Sequence, residues 1–218
     1  MMSNDYNFTI YQQTSGMVLG FHGCDRAVAM DILNSRNKHL NPSKEPYDWL
    51  GSGIYFWLND PLRAYEWACQ MKIRHPDKVK DPFVIGAIID LGMCLNFCER
   101  QSILLLQKAY NDLKDAWEQM GMSLKKNVIP DEGGFALKRY LDCIVINRIH
   151  DIVKSDNINF DTVYGYFQEG ADAYEGAGIK EKSHIQVCVR NNKCIKGYFL
   201  PREDRSPLKF KSVTIVQK

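Results

Sequence analysis

The 218-residue chain has no apolar run of about 18 residues. Met1 to Val18 is too polar for the apolar stretch of a secretory signal. These absences argue against a membrane span and against ordinary export. Neither sign of charge is in excess: 28 Lys and Arg face 26 Asp and Glu, and a net charge of +2 sets up no field that would by itself hold nucleic acid or a lipid surface. There is no Cys-x-x-Cys pair. The seven cysteines are dispersed, mostly within apolar stretches, and Cys94 and Cys98 lack a second close pair or a following His-x-His unit. Zinc is therefore not expected, and free thiols of this kind suit a reducing compartment, the cytoplasm. No strand is followed by Gly-x-Gly-x-x-Gly or by a Gly-x-x-x-x-Gly-Lys-Ser/Thr loop, so a doubly wound parallel sheet binding a dinucleotide at such a turn is excluded. With no internal repeat and no low-complexity segment, residues 1–218 read as a single domain.

What is present is a set of short strands at both ends of the chain with a helical block between them. Met17 to His22 reads as a buried strand, Asp25 as a helix N-cap, and Val28, Ala29, Ile32 and Leu33 follow at helical spacing. Gly51-Ser-Gly-Ile-Tyr-Phe-Trp57 reads as a glycine-rich turn entering a second strand, and Asn59 or Asp60 with Pro61 opens a helix through Ala64, Trp67 and Ala68. Phe83 to Leu91 is a third strand. From Asn96 to Met120 the residues Ile103, Leu106, Tyr110, Leu113, Trp117 and Met120 step in threes and fours, with Gly121 as a stop. A second helix from Asp131 to Val153 uses Leu137, Leu141, Ile144, Val145, Ile149 and Val153, and the two form a helical hairpin. Strands return at Thr162–Phe167, Ser183–Val189, Cys194–Phe199 and Ser212–Val216. The implied class is α+β with a helical insertion at about 96–153.

Phe21-His22-Gly23, then Gly51-Ser52-Gly53-Ile54-Tyr55-Phe56, then Ala64-Tyr-Glu-Trp67-Ala68 resemble, in order, the NAD-binding motifs of the ADP-ribosyltransferases of the diphtheria-toxin and poly(ADP-ribose)-polymerase group. The resemblance covers about 17–95 well and 160–200 less well, and the helical hairpin has no counterpart in it. It implies a split β-sheet core and NAD as the consumed substrate. By resemblance His22 donates a hydrogen bond to a ribose hydroxyl, Gly23 lets the nicotinamide amide approach the main chain, and Gly53 and Tyr55 line the NAD pocket. Tyr55 and Trp67 are its aromatic faces, although strict counting puts Glu66, not Trp67, at the family's second aromatic position. The third catalytic residue belongs on the strand Ser183–Val189, where the family often has Glu and this chain has Gln186, with His184 on the same face. A neutral amide brings no negative charge to an oxocarbenium-like ribose. Glu169 and Glu181, which flank that strand, are the carboxylates available to supply it, and Tyr174 and Glu175 in the Gly-Ala-rich loop 169–178 are placed to meet an acceptor.

Taken singly, each feature has a plainer reading: His22 as a core histidine, Tyr55 as a strand aromatic, Trp67 as a helix anchor, Gln186 as a solvated strand residue. Their order along the chain favours the site. The expectation is a mono-ADP-ribosyltransferase of a microbial type, a toxin or conflict-system effector, that transfers ADP-ribose from NAD to a macromolecule, protein rather than nucleic acid. The helical hairpin is structural cover or a seat for an antitoxin or immunity partner. The alternatives are an NAD glycohydrolase or a tRNA 2'-phosphotransferase-like enzyme on the same fold, or an inactive module that binds NAD or ADP-ribose. A tRNA substrate fits poorly with so small a basic surplus.

Overall fold

A computed structural model of the protein describes residues 16–128, 138–154 and 157–202. The expected strand Ser212–Val216 and the expected helix start at Asp131 lie outside the described residues. The elements are β1 (Met17–Asp25), α1 (Arg26–Leu33), β2 (Ile54–Leu58), α2 (Pro61–Arg74), β3 (Pro82–Asp90), β4 (Cys94–Asn96), α3 (Arg100–Gln119), α4 (Tyr140–Lys154), β5 (Thr162–Phe167), β6 (His184–Val189) and β7 (Ile195–Phe199). The class is α+β, as expected.

Local chemistry explains the junctions. Asp25 ends β1 and starts α1: its carboxylate accepts from Ala27 N at 2.9 Å and also from Lys80 N and Asp81 N, tying the helix start to the approach to β3. Hydrogen bonds from Asp81, Lys80 and Ala27 hold this carboxyl below its ordinary range. Asp60 caps α2 by accepting from Arg63 N at 3.0 Å, and Pro61 occupies the first helical turn, where its missing N–H costs nothing. The helix expected from Asn96 begins at Arg100. Cys94–Asn96 instead pairs in parallel with β5, and the Asn96 side chain accepts from Cys98 N at 2.9 Å, a local turn that competes with helix.

The strands form one seven-stranded sheet in the order β4-β5-β6-β2-β1-β3-β7, parallel at β4/β5 and antiparallel elsewhere. Hydrogen bonding runs through the whole sheet, which is continuous across all seven strands. β1 pairs with β3 along all its nine residues, but with β2 only at Gly20↔Leu58 and Phe21↔Trp57. Beyond Phe21 the two strands part. One sheet face, built from Ile54, Phe56, Ile85, Ile89, Val187 and Val189, packs on Ala29 and Ile32 of α1. The other carries Val163, Phe167 and Cys188 under Ala109, Leu113, Val145 and Ile149 of the helical pair. α3 and α4 pack on each other as expected, but α3 turns Ser102, Ala109 and Leu113 inward, and Tyr110 and Met120 are exposed. Of the anticipated stripe, Leu106, Leu113 and Trp117 pack into this core, and the small side chains of Ser102 and Ala109 join them on the buried face.

Candidate functional site

His22, Tyr55 and Gln186 come from three neighbouring strands, β1, β2 and β6, with β2 in the middle. His22 lies where β1 leaves β2, and its Nδ1 is 2.8 Å from the carbonyl oxygen of Tyr55. A carbonyl only accepts, so Nδ1 carries the proton and Nε2 holds a lone pair. Burial pushes the His22 pKa down, partly offset by this hydrogen bond, so the ring is neutral near pH 7. With Nδ1 given to the main chain, the nitrogen left over, Nε2, is an acceptor rather than the donor anticipated.

The rings do not share a face. His22 meets Phe56 edge-on at 5.9 Å, on the α1 side of the sheet. Tyr55 points to the opposite side, where its hydroxyl accepts from Leu50 N at 2.8 Å and donates to Gly51 O at 2.6 Å. These two bonds close the turn before β2, where Gly51 has φ +74°. Trp67, expected to face Tyr55 across a ligand, packs instead 6.0 Å from Trp57, on the same strand face as Tyr55 and two residues further on. Alternation along β2 makes Trp57 the aromatic neighbour of the site, a residue the sequence reading passed over although the alternation could have signalled it.

The two glycines answer to packing. A Cβ at Gly23 would lie 1.9 Å from the carbonyl oxygen of Ala64, and one at Gly53 would lie 2.5 Å from Cys188 Sγ. Gly23 thus lets α2 press against β1, and Gly53 lets the strand entry lie against β6.

Trp57 and Gln186 are cross-strand partners, and around them gathers a buried polar cluster. His184 and Gln186 of β6 and Arg63 of α2 are each at least nine-tenths buried. Arg63 bonds Glu66 through Nη1 at 2.7 Å and Glu169, at the end of β5, through Nη2 at 2.8 Å. His184 Nδ1 donates to Lys182 O at 2.6 Å and lies 3.9 Å from Glu169. Burial lowers the His184 pKa, so this ring too is neutral, with Nε2 as acceptor. Trp49 stacks on it at 6.0 Å, and Phe167 lies beside it. Trp57 Nε1, Arg63 Nε, His184 Nε2 and Gln186 Oε1 are all buried without a hydrogen-bond partner among the described residues, a concentration of cost that structural packing alone does not require.

Glu169 therefore sits beside His184, two residues before the predicted third residue on the same strand face, while Glu181 packs against Gly170 in the following lobe. Tyr174 and Glu175 are exposed on that lobe. From the helical block, Arg139 lies 4.7 Å over both Trp49 and Phe167, the two aromatics beside His184. The grooves of about 370 and 410 Å³ lie between α3 and α4 and are lined by residues such as Trp117, Ile144, Tyr110 and Leu141. They do not include the polar cluster.

No family model matches the chain, and no solved structure does either. The chain is similar to an uncharacterized protein of Methanocaldococcus jannaschii, 27% identical over 192 residues that span 81% of this chain and 83% of the relative. Among the described residues no helix is long and apolar enough to cross a membrane.

Proposed function

We propose that this protein is a mono-ADP-ribosyltransferase that consumes NAD. The observation that carries the reading is the arrival of His22, Tyr55 and Gln186, far apart in the chain, on three adjacent strands at the point where β1 parts from β2. In this reading NAD lies on the face of Trp57 and Gln186, with a ribose hydroxyl donating to Gln186 Oε1, an acceptor without a partner among the described residues, while His22, on the α1 face, holds the Tyr55 main chain in place through Nδ1. The bond between nicotinamide and C1' of the ribose breaks, nicotinamide leaves with the electron pair, and an acceptor side chain forms the new bond at C1' as it loses its proton. Gln186 positions the sugar and brings no charge. The exposed Tyr174 and Glu175 suit a protein acceptor held at the lobe.

A second reading, a module that binds NAD or ADP-ribose without turnover, is favoured by one observation. Glu169, the carboxylate beside His184, is already neutralised by Arg63. Incubation with labelled NAD and a cell extract separates the two. Label on protein supports transfer, free ADP-ribose supports hydrolysis, and binding of intact NAD without either product supports the module. Label on RNA would point to the nucleic-acid alternative.

A further inference from the structure

Arg63 is the most buried cation of the polar cluster, and its hydrogen bonding is incomplete in a specific way. A guanidinium offers a side-on fork made by Nε–H and one Nη–H, shaped for the two oxygens of a carboxylate or phosphate. Here Glu169 reaches Nη2 at 2.8 Å, Glu66 takes Nη1 at 2.7 Å, and Nε, fully buried, has no partner. The two carboxylates differ in origin. Glu66 lies one turn away on the same helix, whereas Glu169 is brought in from the end of β5, at the head of the lobe that returns to β6. Within the same cluster, where Trp57 lies 6.3 Å from the His184 ring, Trp57 Nε1–H is a second donor without an acceptor among the described residues, and His184 Nε2 and Gln186 Oε1 are acceptors without donors there.

We propose that Arg63 is a receptor for an oxyanionic ligand group, carboxylate or phosphate, and that Glu169 is an internal latch which the ligand displaces. The charge count requires displacement. One guanidinium already faces two carboxylates, so a further anion joins only if one leaves, and Glu169 is the one not carried by Arg63's own helix. The incoming group fills both arms of the fork, and Trp57 Nε1–H provides an additional donor. Hydroxyl groups on the same ligand would satisfy His184 and Gln186. The ligand class is thus an oxyanion bearing neighbouring hydroxyls when the source is a ribosyl phosphate, or a bare carboxylate when the source is an acidic acceptor side chain. Glu169 in its present place is a mimic of that group. The inference concerns binding and stands whether or not the protein turns NAD over.

Its test is a titration of the full chain followed by tryptophan fluorescence, since Trp57 packs 6.0 Å from Trp67 and 6.3 Å from the His184 ring of the cluster. One arm uses ADP-ribose as the phosphate source, the other a short glutamate-containing peptide as the carboxylate source. Glu169→Gln removes the competing charge and should tighten one of the two probes by about tenfold, the scale of one charge-assisted hydrogen bond. Adding Arg63→Lys, which keeps the charge but loses the fork, should abolish that gain. Tightening of ADP-ribose assigns the phosphate, and tightening of the peptide assigns the carboxylate. Should Glu169→Gln fail to fold, Glu169→Asp, which shortens the latch, carries the same expectation. Unchanged or weaker affinity for both probes in a folded latch variant overturns the proposal, as does a gain that survives Arg63→Lys. Loss of ADP-ribosyl transfer with the titration result intact would count against the transferase reading and not against this one.

Discussion

The two faces of the central sheet are built from alternate residues of the same strands, yet they do different things. Toward α1, Phe56, Ile85, Ile89, Val187 and Val189 interlock, and the polar side chain that joins them there, His22, has its Nδ1 bonded to the Tyr55 carbonyl. Toward α2 and the lobe, the same β2 and β6 present Trp57, His184 and Gln186, which bury four unpartnered polar atoms together with Arg63. One face stabilises the fold. The other holds polar groups at a cost that a ligand would offset, and a face of that kind is where function is to be sought.

Substitutions on the two faces should therefore act in opposite directions. Phe56→Ala, at a fully buried position of the apolar face, should lower stability by about 3–5 kcal/mol in chemical denaturation. A loss below about 1 kcal/mol would show that this face is not the core. Gln186→Leu, at its cross-face neighbour, should raise stability by about 1 kcal/mol by removing an unpartnered buried amide. The same change should cut ADP-ribose transfer by about two decades, near 3 kcal/mol of barrier. Transfer at the unaltered rate would remove Gln186 from the site, and the search would pass to His184.

Tyr55→Phe tests the turn that joins the faces. It leaves Leu50 N without its acceptor and should cost about 1–2 kcal/mol, while a ligand stacked on the ring would lose little affinity. Equal stability of the two proteins would mean that the turn closes without the hydroxyl.

The smallest effect concerns pH. Asp48, in the loop before that turn, has its pKa raised to about 6, first by burial, against the hydrogen bond from Ser43. A folded-state pKa above the unfolded value means that the native protein binds the extra proton. Stability is then greatest below the usual carboxylate value near 4 and declines as pH rises to about 6. Asp48→Asn should flatten that decline and stabilise the protein at pH 7 by about 1 kcal/mol, after allowance for solvent at a partly exposed group. Parallel pH–stability curves for the two proteins would exclude this residue as the cause.

Much of the local structure was readable from residue order. Asp25 and Asp60 with Pro61 announced the helix starts, and β5 runs over the residues anticipated for it, Thr162–Phe167. The stripe on α3 was read correctly at Leu106, Leu113 and Trp117, which pack in the core, but not at Tyr110 and Met120, because an apolar periodicity does not tell how far round the helix its neighbours will press. Small residues such as Ser102 and Ala109 decide that only once the helices pack. Trp57 was accessible in principle through the alternation of β2, but Arg63 was not. An arginine in the first turn of a helix looks solvated until Glu169, more than a hundred residues away, is folded against it.

What the residue order determined by itself was short-range: which stretches extend, which coil, where each starts, and which three positions carry a resemblance to an NAD-binding group. Those properties depend on side-chain period, capping and backbone freedom, all felt within a few residues. What only the tertiary structure decided was direction and company. It set His22 Nδ1 on the Tyr55 carbonyl, so that its free nitrogen accepts; it turned Trp67 to Trp57; and it buried Arg63 between two carboxylates. Hydrogen-bond direction, burial and charge pairing depend on distances of a few ångströms between residues distant in sequence, and those distances exist only after the strands have paired and the helices have closed over them.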